Sequence, residues 1–205
     1  MSAEQRADDS HAEGYQKGRD TRAQILEAAM AQFAVNGYRG SSLRDIAAAA
    51  GLTHPGLLYH FPTKASLLAA VLEYRDEVDS RERPVRGELG LDALRSLVAA
   101  ARHNESKRGI VELYAILSAE ATSPDHPAHA YFVRRYESLL ERVTSAYELA
   151  RDHGELREGI DPAEAAPQLV ALMDGLQVQW LLGARPTPMA DIVKVHIDAQ
   201  LASPL

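Results

Sequence analysis

Cysteine is absent from this chain of 205 residues, which excludes disulfides, thiolate nucleophiles and thiolate zinc sites together. Any chemistry would fall to histidine, carboxylates, hydroxyls or a bound ligand. No run approaches the ~20 apolar residues that span a bilayer, so no membrane crossing is expected. The N-terminal MSAEQRADDSHAEGYQKG lacks the basic start and apolar block of a secretory signal, and a cytoplasmic location is expected. Internal repeats, low-complexity tracts and sustained period-two alternation are missing as well. What is present is ordinary: 46% apolar and 25% charged residues exclude disorder as the dominant state. The length allows one domain with an appendage or two small domains, and rules out a large multidomain enzyme.

Positive charge is scarce overall, with a net charge of −7, which taken alone argues against a nucleic-acid partner. Its distribution argues the other way. Residues 1–13 carry a net −3 and residues 14–64 a net +3, so the remainder holds −7. A mildly basic segment of about fifty residues is attached to an acidic body, as when one part meets an anion and the other confers solubility.

The 3.6-residue period recurs throughout, which predicts an all-α fold. Thr21 and Gln24 have capping-box spacing ahead of a stripe of Ile25, Leu26, Ala29, Met30 and Phe33, and Gly37 ends that helix. Ser42 starts a second helix with Asp45 in its first turn, and Gly51 breaks it after about two turns. Thr53 can cap a third, which tolerates Pro55 in its first turn and closes at Pro62. A connector helix follows over 63–83. Further helices are expected at 89–103, 109–121, 127–153, 162–182 and 188–201, with proline or glycine at nearly every junction. The first eighteen residues read as a mobile arm, residues 19–64 as a helix-turn-helix domain, and residues 65–205 as a second, larger helical domain.

Residues 41–61, S-S-L-R-D-I-A-A-A-A-G-L-T-H-P-G-L-L-Y-H-F, have helix-turn-helix spacing. Ala47 and Ala50 permit close approach, Gly51 supplies the turn, and Leu52 and Leu57 can pin the second helix to Phe33 and Ile46. His54, Gly56, Tyr59 and His60 are left less committed to the core. On these twenty-one residues alone, ordinary packing of a helical hairpin explains the pattern as well as DNA binding does.

From Thr21 to about Tyr74 the order T-R-A-Q-I-L-E-A-A, F-A-V-N-G-Y-R-G-S-S-L-R-D-I-A-A-A-A-G and L-Y-H-F-P-T-K-A-S-L-L resembles the DNA-binding domain of tetracycline-repressor-type (TetR/AcrR) transcriptional regulators. The resemblance implies that residues 53–60 form a recognition helix in the major groove. It places Arg44, His54, Pro55 and Gly56 at base-facing positions, Gly56 departing from the side chain usual there. A guanidinium can bond guanine in bidentate fashion, and an imidazole can make one contact. Ser42, Thr53, Tyr59, His60 and Lys64 match phosphate-holding positions, which orient without specifying sequence. Lys17, Arg19 and Arg22 are further candidates for backbone or minor-groove contact, or for a solvated role.

About fifty residues alone bury too little surface for reliable stability, and one readout helix binds weakly. A homodimer with half-sites about one helical turn apart answers the second problem. Residues 162–182 carry one apolar stripe of Leu169, Leu172, Met173, Leu176 and Trp180 and another of Val170, Val178 and Leu181, so that helix needs two partners. With the last helix it suggests a dimer interface at Val170, Asp174, Val178, Leu181, Ile192, Val193 and Ile197; completion of a monomeric core is the plain alternative. The resemblance also implies an inducer pocket in the helical body, with Leu97, Tyr114, Leu117, Glu120, Tyr136, Leu139, Met173, Leu176 and Trp180 as candidate lining. His126 and His129 have i,i+3 spacing but no third ligand, so a solvated P-D-H-P-A-H loop is expected and neither a metal nor a cofactor is. The same reading covers His103, His153 and His196.

These features lead to a ligand-responsive regulator, most often a repressor, that binds a palindromic operator as a homodimer and is released by a small-molecule inducer. The alternative is an all-α enzyme or binding protein for an apolar or aromatic metabolite with a purely structural hairpin. Glu112, Glu120 and Asp174 could face a cavity in it, but no nucleophile with a base, phosphate-cradling loop or metal-ligand cluster accompanies them. A nonspecific architectural DNA binder is disfavoured by the acidic body.

Overall fold

The computed structural model describes the backbone of residues 3–82, 89–184 and 187–205, with side chains from Gly18 onward except at 80 and 82. Among these residues nine helices are present, and the only β-type pairing is an isolated bridge between Leu156 and Leu201. The all-α expectation holds. No helix of the described residues is long and apolar enough to cross a membrane.

The chain divides into two units, Met1–Glu82 and Arg83–Leu205. The first contains α1 (Ala3–Gly40), α2 (Leu43–Ala49), α3 (His54–His60) and α4 (Lys64–Glu82). Helix α1 begins at Ala3, so the capping-box spacing at Thr21 does not mark its start. Ala, Glu, Gln and Arg dominate the preceding stretch and no proline interrupts it, which favours continuation of the helix. The side chains of the expected arm, to residue 17, lie outside the described residues.

Ile25, Ala29 and Phe33 of α1, Ile46 of α2, Leu57 of α3 and Leu67 of α4 are sealed from solvent. Because α4 packs on α1, the first unit extends to Glu82 and not to the expected boundary at 64. An apolar face that starts at Leu67 has to be covered by the elements already beside it.

The second unit contains α5 (Leu91–Asn104), α6 (Arg108–Glu120), α7 (His129–Asp152), α8 (Pro162–Leu181) and α9 (Met189–Asp198). Its core joins Leu94 and Val98 of α5, Val143 and Tyr147 of α7, Leu169 and Val170 of α8, and Val193 and Ile197 of α9. The C-terminal segment closes this core. The Tyr147 hydroxyl donates to Gln200 Oε1, Arg157 Nε donates to the Leu201 carbonyl at 2.7 Å, and the Leu205 amide donates to Asp198 Oδ1 at 2.9 Å. Burial pushes the Tyr147 phenol up. Although partial burial opposes it, Asp198 is held below the usual carboxylate range by Lys194, 2.6 Å away, and the Leu205 amide.

Candidate nucleic-acid interface and helical body

Two local devices set the reading helix. Helix α2 ends in a Schellman turn: the Leu52 amide donates to Ala47 O at 2.8 Å and the Gly51 amide to Ala48 O at 3.0 Å, with Gly51 at φ 69°. That left-handed conformation costs a residue with Cβ roughly 1–2 kcal/mol, which explains glycine there. Thr53 then caps α3, its Oγ1 accepting from the Gly56 amide at 3.2 Å, with Pro55 in the first turn.

Within α3 only Leu57 is fully buried, whereas Pro55 is exposed and Tyr59 is 87% exposed. His54, Gly56 and His60 are partly exposed, and Arg44 on α2 is exposed. Tyr59 and His60 meet edge to face with centroids 5.4 Å apart. The base-facing candidates Arg44, His54, Pro55 and Gly56 therefore lie at or beside one open helix, anchored by a single fully buried leucine.

The phosphate candidates separate into two groups. Tyr59, His60 and Thr53 present atoms at the surface. Ser42 caps α2 by accepting from the Arg44 amide at 3.2 Å. Lys64 departs from expectation. Its Nζ donates to the carbonyls of Tyr38 at 2.8 Å and Ser41 at 2.9 Å and lies 4.4 Å from the Tyr38 ring centroid. Its ammonium satisfies backbone oxygens that the break at Gly37 (φ 67°) exposes, and Ser41 Oγ bonds the Gly37 carbonyl at 2.6 Å. Lys64 is a brace between α1 and α4 in place of a free phosphate ligand. Arg22 lies over the Phe61 ring at 4.5 Å, Arg19 is exposed, and the Lys17 side chain lies outside the described residues.

In the second unit the expected interface residues also separate. Val170, Val193 and Ile197 are buried inside one chain, at 5%, 1% and 0% exposure, so they are core and cannot meet a partner. Asp174 turns to α7, where its Oδ2 accepts from the Tyr136 hydroxyl at 2.8 Å. Leu181 and Ile192 are partly covered, while Val178 stays half exposed. The open face of α8 runs through Ala171, Gly175, Val178 and Leu182, spaced four, three and four residues apart, and Val195 is the exposed apolar residue of α9. The expected interface stripe lies about one helical step from this open face, because α8 is apolar on several sides and the period does not say which sides neighbours cover.

Among the described residues, the pocket candidates have different surroundings. Met173 and Leu176 border a small cleft with Ala101, Asn104, Gln177, Met189 and Val193, which leaves about 10 Å³, room for roughly one water. Leu117 is fully buried, and Leu97 and Leu139 pack against the core. Trp180 is covered by Arg108, whose guanidinium lies 5.6 Å from its ring centroid and donates to the Leu181 carbonyl at 2.9 Å. Glu120 Oε2 lies 3.6 Å from His126 Nε2.

The P-D-H-P-A-H segment is solvated only in part: Pro124, Asp125 and Pro127 are exposed, but the His126 side chain is 1% exposed and its Nδ1 accepts from the Ala128 amide at 3.2 Å. Backbone bonds from the His126 amide to Ser123 O and from the His129 amide to His126 O fold the segment tightly. His129 Nδ1 lies 2.8 Å from Ala121 O. No three His, Asp or Glu side chains among the described residues are grouped to hold a metal.

Tyr114 and Tyr136, by contrast, each make a polar contact across helices, Tyr114 to Tyr131 of α7 and Tyr136 to Asp174 of α8. The Tyr114 and Tyr131 hydroxyls are 3.3 Å apart, Phe132 meets both rings edge on, and the Arg135 guanidinium lies 4.5 Å from the Tyr114 ring centroid. Burial, reinforced by the Asp174 carboxylate, pushes the Tyr136 phenol up to about 12. Burial raises the Asp174 carboxyl, against the opposing pull of Tyr136 and Arg135. Sequence reasoning missed Tyr131 and Arg135; their i,i+4 spacing on α7 was the available signal.

The comparisons with known proteins cover both units. Residues 25–71 match "Bacterial regulatory proteins, tetR family", and residues 91–202 match "BetI-type transcriptional repressor, C-terminal". The probable HTH-type transcriptional regulator ArpR of Pseudomonas putida is 32% identical over 201 residues, covering 91% of this chain and 92% of that protein. The HTH-type transcriptional regulator TtgR, also of Pseudomonas putida, is 32% identical over 203 residues with the same coverage. Among solved structures, a TetR-family transcriptional regulator from Rhodococcus sp. superposes with a TM-score of 0.69 at 25% identity, covering 90% of this chain and all of that one. Regulators of this family bind operator DNA, act as dimers and take small-molecule ligands. The chain belongs to the tetR family of bacterial regulatory proteins and is a transcriptional regulator, not an enzyme.

Proposed function

We propose that the chain is a cytoplasmic repressor that binds a palindromic operator as a homodimer and leaves it when a small molecule enters the second unit. The observation that carries this reading is α3: a capped helix whose one fully buried residue is Leu57, with Pro55 and Tyr59 exposed. Arg44, His54 and Pro55 read bases, with Gly56 allowing close approach, while Thr53, Tyr59, His60 and the Ser42 turn hold phosphates. The open stripe of Ala171, Gly175, Val178 and Leu182, with Val195, supplies the dimer face, its small residues permitting close helix contact. The second unit's match to a transcriptional repressor domain favours repression.

Selection from random duplexes followed by gel-shift titration tests the proposal. An inverted repeat should emerge, bound by two chains, and Arg44→Ala or His54→Ala should cost about 1–3 kcal/mol at individual base positions and relax preference there. Failure to prefer any duplex over competitor DNA at moderate salt would overturn it.

A further inference from the structure

The reading helix carries no fixed charge. Its seven residues, His54–His60, include neither lysine nor arginine nor a carboxylate, and its ionisable groups are His54, Tyr59 and His60. Duplex DNA rewards positive charge, because each phosphate neutralised releases a counterion. Few fixed cations stand near the helix to supply it. Lys64 is held by the Tyr38 and Ser41 carbonyls, and Arg22 lies over the Phe61 ring that follows α3. Helix α2, which packs on α3, contributes Arg44 and Asp45, both exposed and of opposite sign. The two imidazoles are placed differently. Both are partly exposed, and among the described residues neither makes a hydrogen bond or an ion pair; the ring contact there is that of His60 with Tyr59, edge to face at 5.4 Å.

Histidine is the side chain whose charge ordinarily changes near neutral pH, and a neighbouring anion favours its charged form. An unpaired imidazole in a groove lined with phosphates therefore binds a proton more readily on the duplex than off it. We infer that α3 meets DNA with both imidazoles protonated, His60 bound to a phosphate and His54 to the acceptor edge of a guanine, so that duplex binding takes up protons. An imidazolium donates from both nitrogens, which suits phosphate oxygens and the guanine N7 and O6 pair but not a donor edge. Each imidazole contributes fully to affinity below the ordinary histidine range, and its contribution fades as pH rises. The inference rests on the reading of α3 as the DNA-binding helix and adds the charge state in which it binds.

Titration of the full-length protein into rhodamine-labelled duplexes, read by anisotropy at about pH 8 and about pH 6, tests it. The duplexes are the inverted repeat returned by selection and a mixed-sequence duplex of equal length. If contact raises proton affinity about tenfold, the wild type should bind about fivefold more tightly at the lower pH for each imidazole seated, compounded over the two chains. The slope of log affinity against log salt should steepen there by about 0.9 for each phosphate that His60 neutralises. His60→Gln, which keeps a hydrogen-bond donor, should remove that steepening and its share of the pH effect on both duplexes. His54→Gln should remove its share on the inverted repeat alone, because a base contact needs the right base. His153→Gln, at the C-terminal end of α7, should leave both measurements as in the wild type, and melting curves at each pH check that every variant is folded. Affinity flat to within about twofold over this range, or a tightening that survives the double variant His54→Gln/His60→Gln, would overturn the inference. Should no duplex be preferred at either pH, the regulator reading fails, while the His60 share on mixed-sequence DNA still decides this inference.

Discussion

The two units are stabilised by different means. The reading helices are short, at seven residues each for α2 and α3, too short to persist by propensity or to bury much surface. Local chemistry fixes them: Ser42 and Thr53 caps, the Gly51 turn, and the Thr63–Ser66 pair, in which each amide donates to the other's hydroxyl at 3.2 and 3.0 Å. In the second unit α5, α6, α7 and α9 have no side-chain cap bond, and 10 to 24 residues per helix are held by shared packing. The difference is one of range: a cap acts within one turn of chain, whereas packing joins helices far apart in sequence.

The largest expected effect is that of Leu57→Ala, which removes the sole full anchor of α3 and should cost ~2–5 kcal/mol in first-unit stability. Operator binding should fall with it, while the melting transition of the second unit stays. Parallel loss of both would show that the two units do not behave separately.

Lys64→Met comes next. Two carbonyls lose their donor at a cost of ~1–3 kcal/mol, visible as a lower melting temperature with an unchanged salt dependence of DNA binding. A salt slope reduced by about one would return Lys64 to the phosphate contacts. Thr53→Ala should cost ~1 kcal/mol through the lost cap, with an equal weakening on all operator sequences.

The smallest effect sharpens the contrast from the other side. Burial raises the folded-state pKa of Asp174, so the stability it contributes is full at low pH and declines as pH rises past the ordinary carboxylate value and through the raised one. Asp174→Asn, which keeps an acceptor for Tyr136, should raise the melting temperature at pH 7 by about 1–3 °C, a gain that shrinks towards pH 4 where the acid is neutral. Asp198, held low by Lys194, acts in the opposite sense: its contribution is present above the ordinary carboxylate value and lost as pH falls through its depressed pKa. Removing it should reverse the trend.

Legibility in the sequence follows the same division. The Gly51 turn, the Thr53 cap and the exposure of Tyr59 were readable because each depends on residues a few positions apart. The brace at Lys64 was not, since its carbonyl partners lie 23 and 26 positions away. On α8 the 3.6-residue period revealed several apolar stripes but could not rank them, and Val170 went inward while Val178 remained open. His126, in a segment bounded by prolines, carried every mark of a loop and is nonetheless buried.

The order of residues by itself determined that this protein is helical, that its early segment is a capped helix-turn-helix, and that its family is one of DNA-binding regulators. The first two rest on propensity, capping and turn chemistry, which act over one or two turns of chain; the third rests on the resemblance carried by residues 21–74. Only the tertiary structure decided which side of each long helix faces inward, that Lys64 supports backbone oxygens, and that Asp174 of α8 meets Tyr136 of α7. Burial and charge pairing depend on what distant segments bring to a side chain, and helical periodicity contains no information on that.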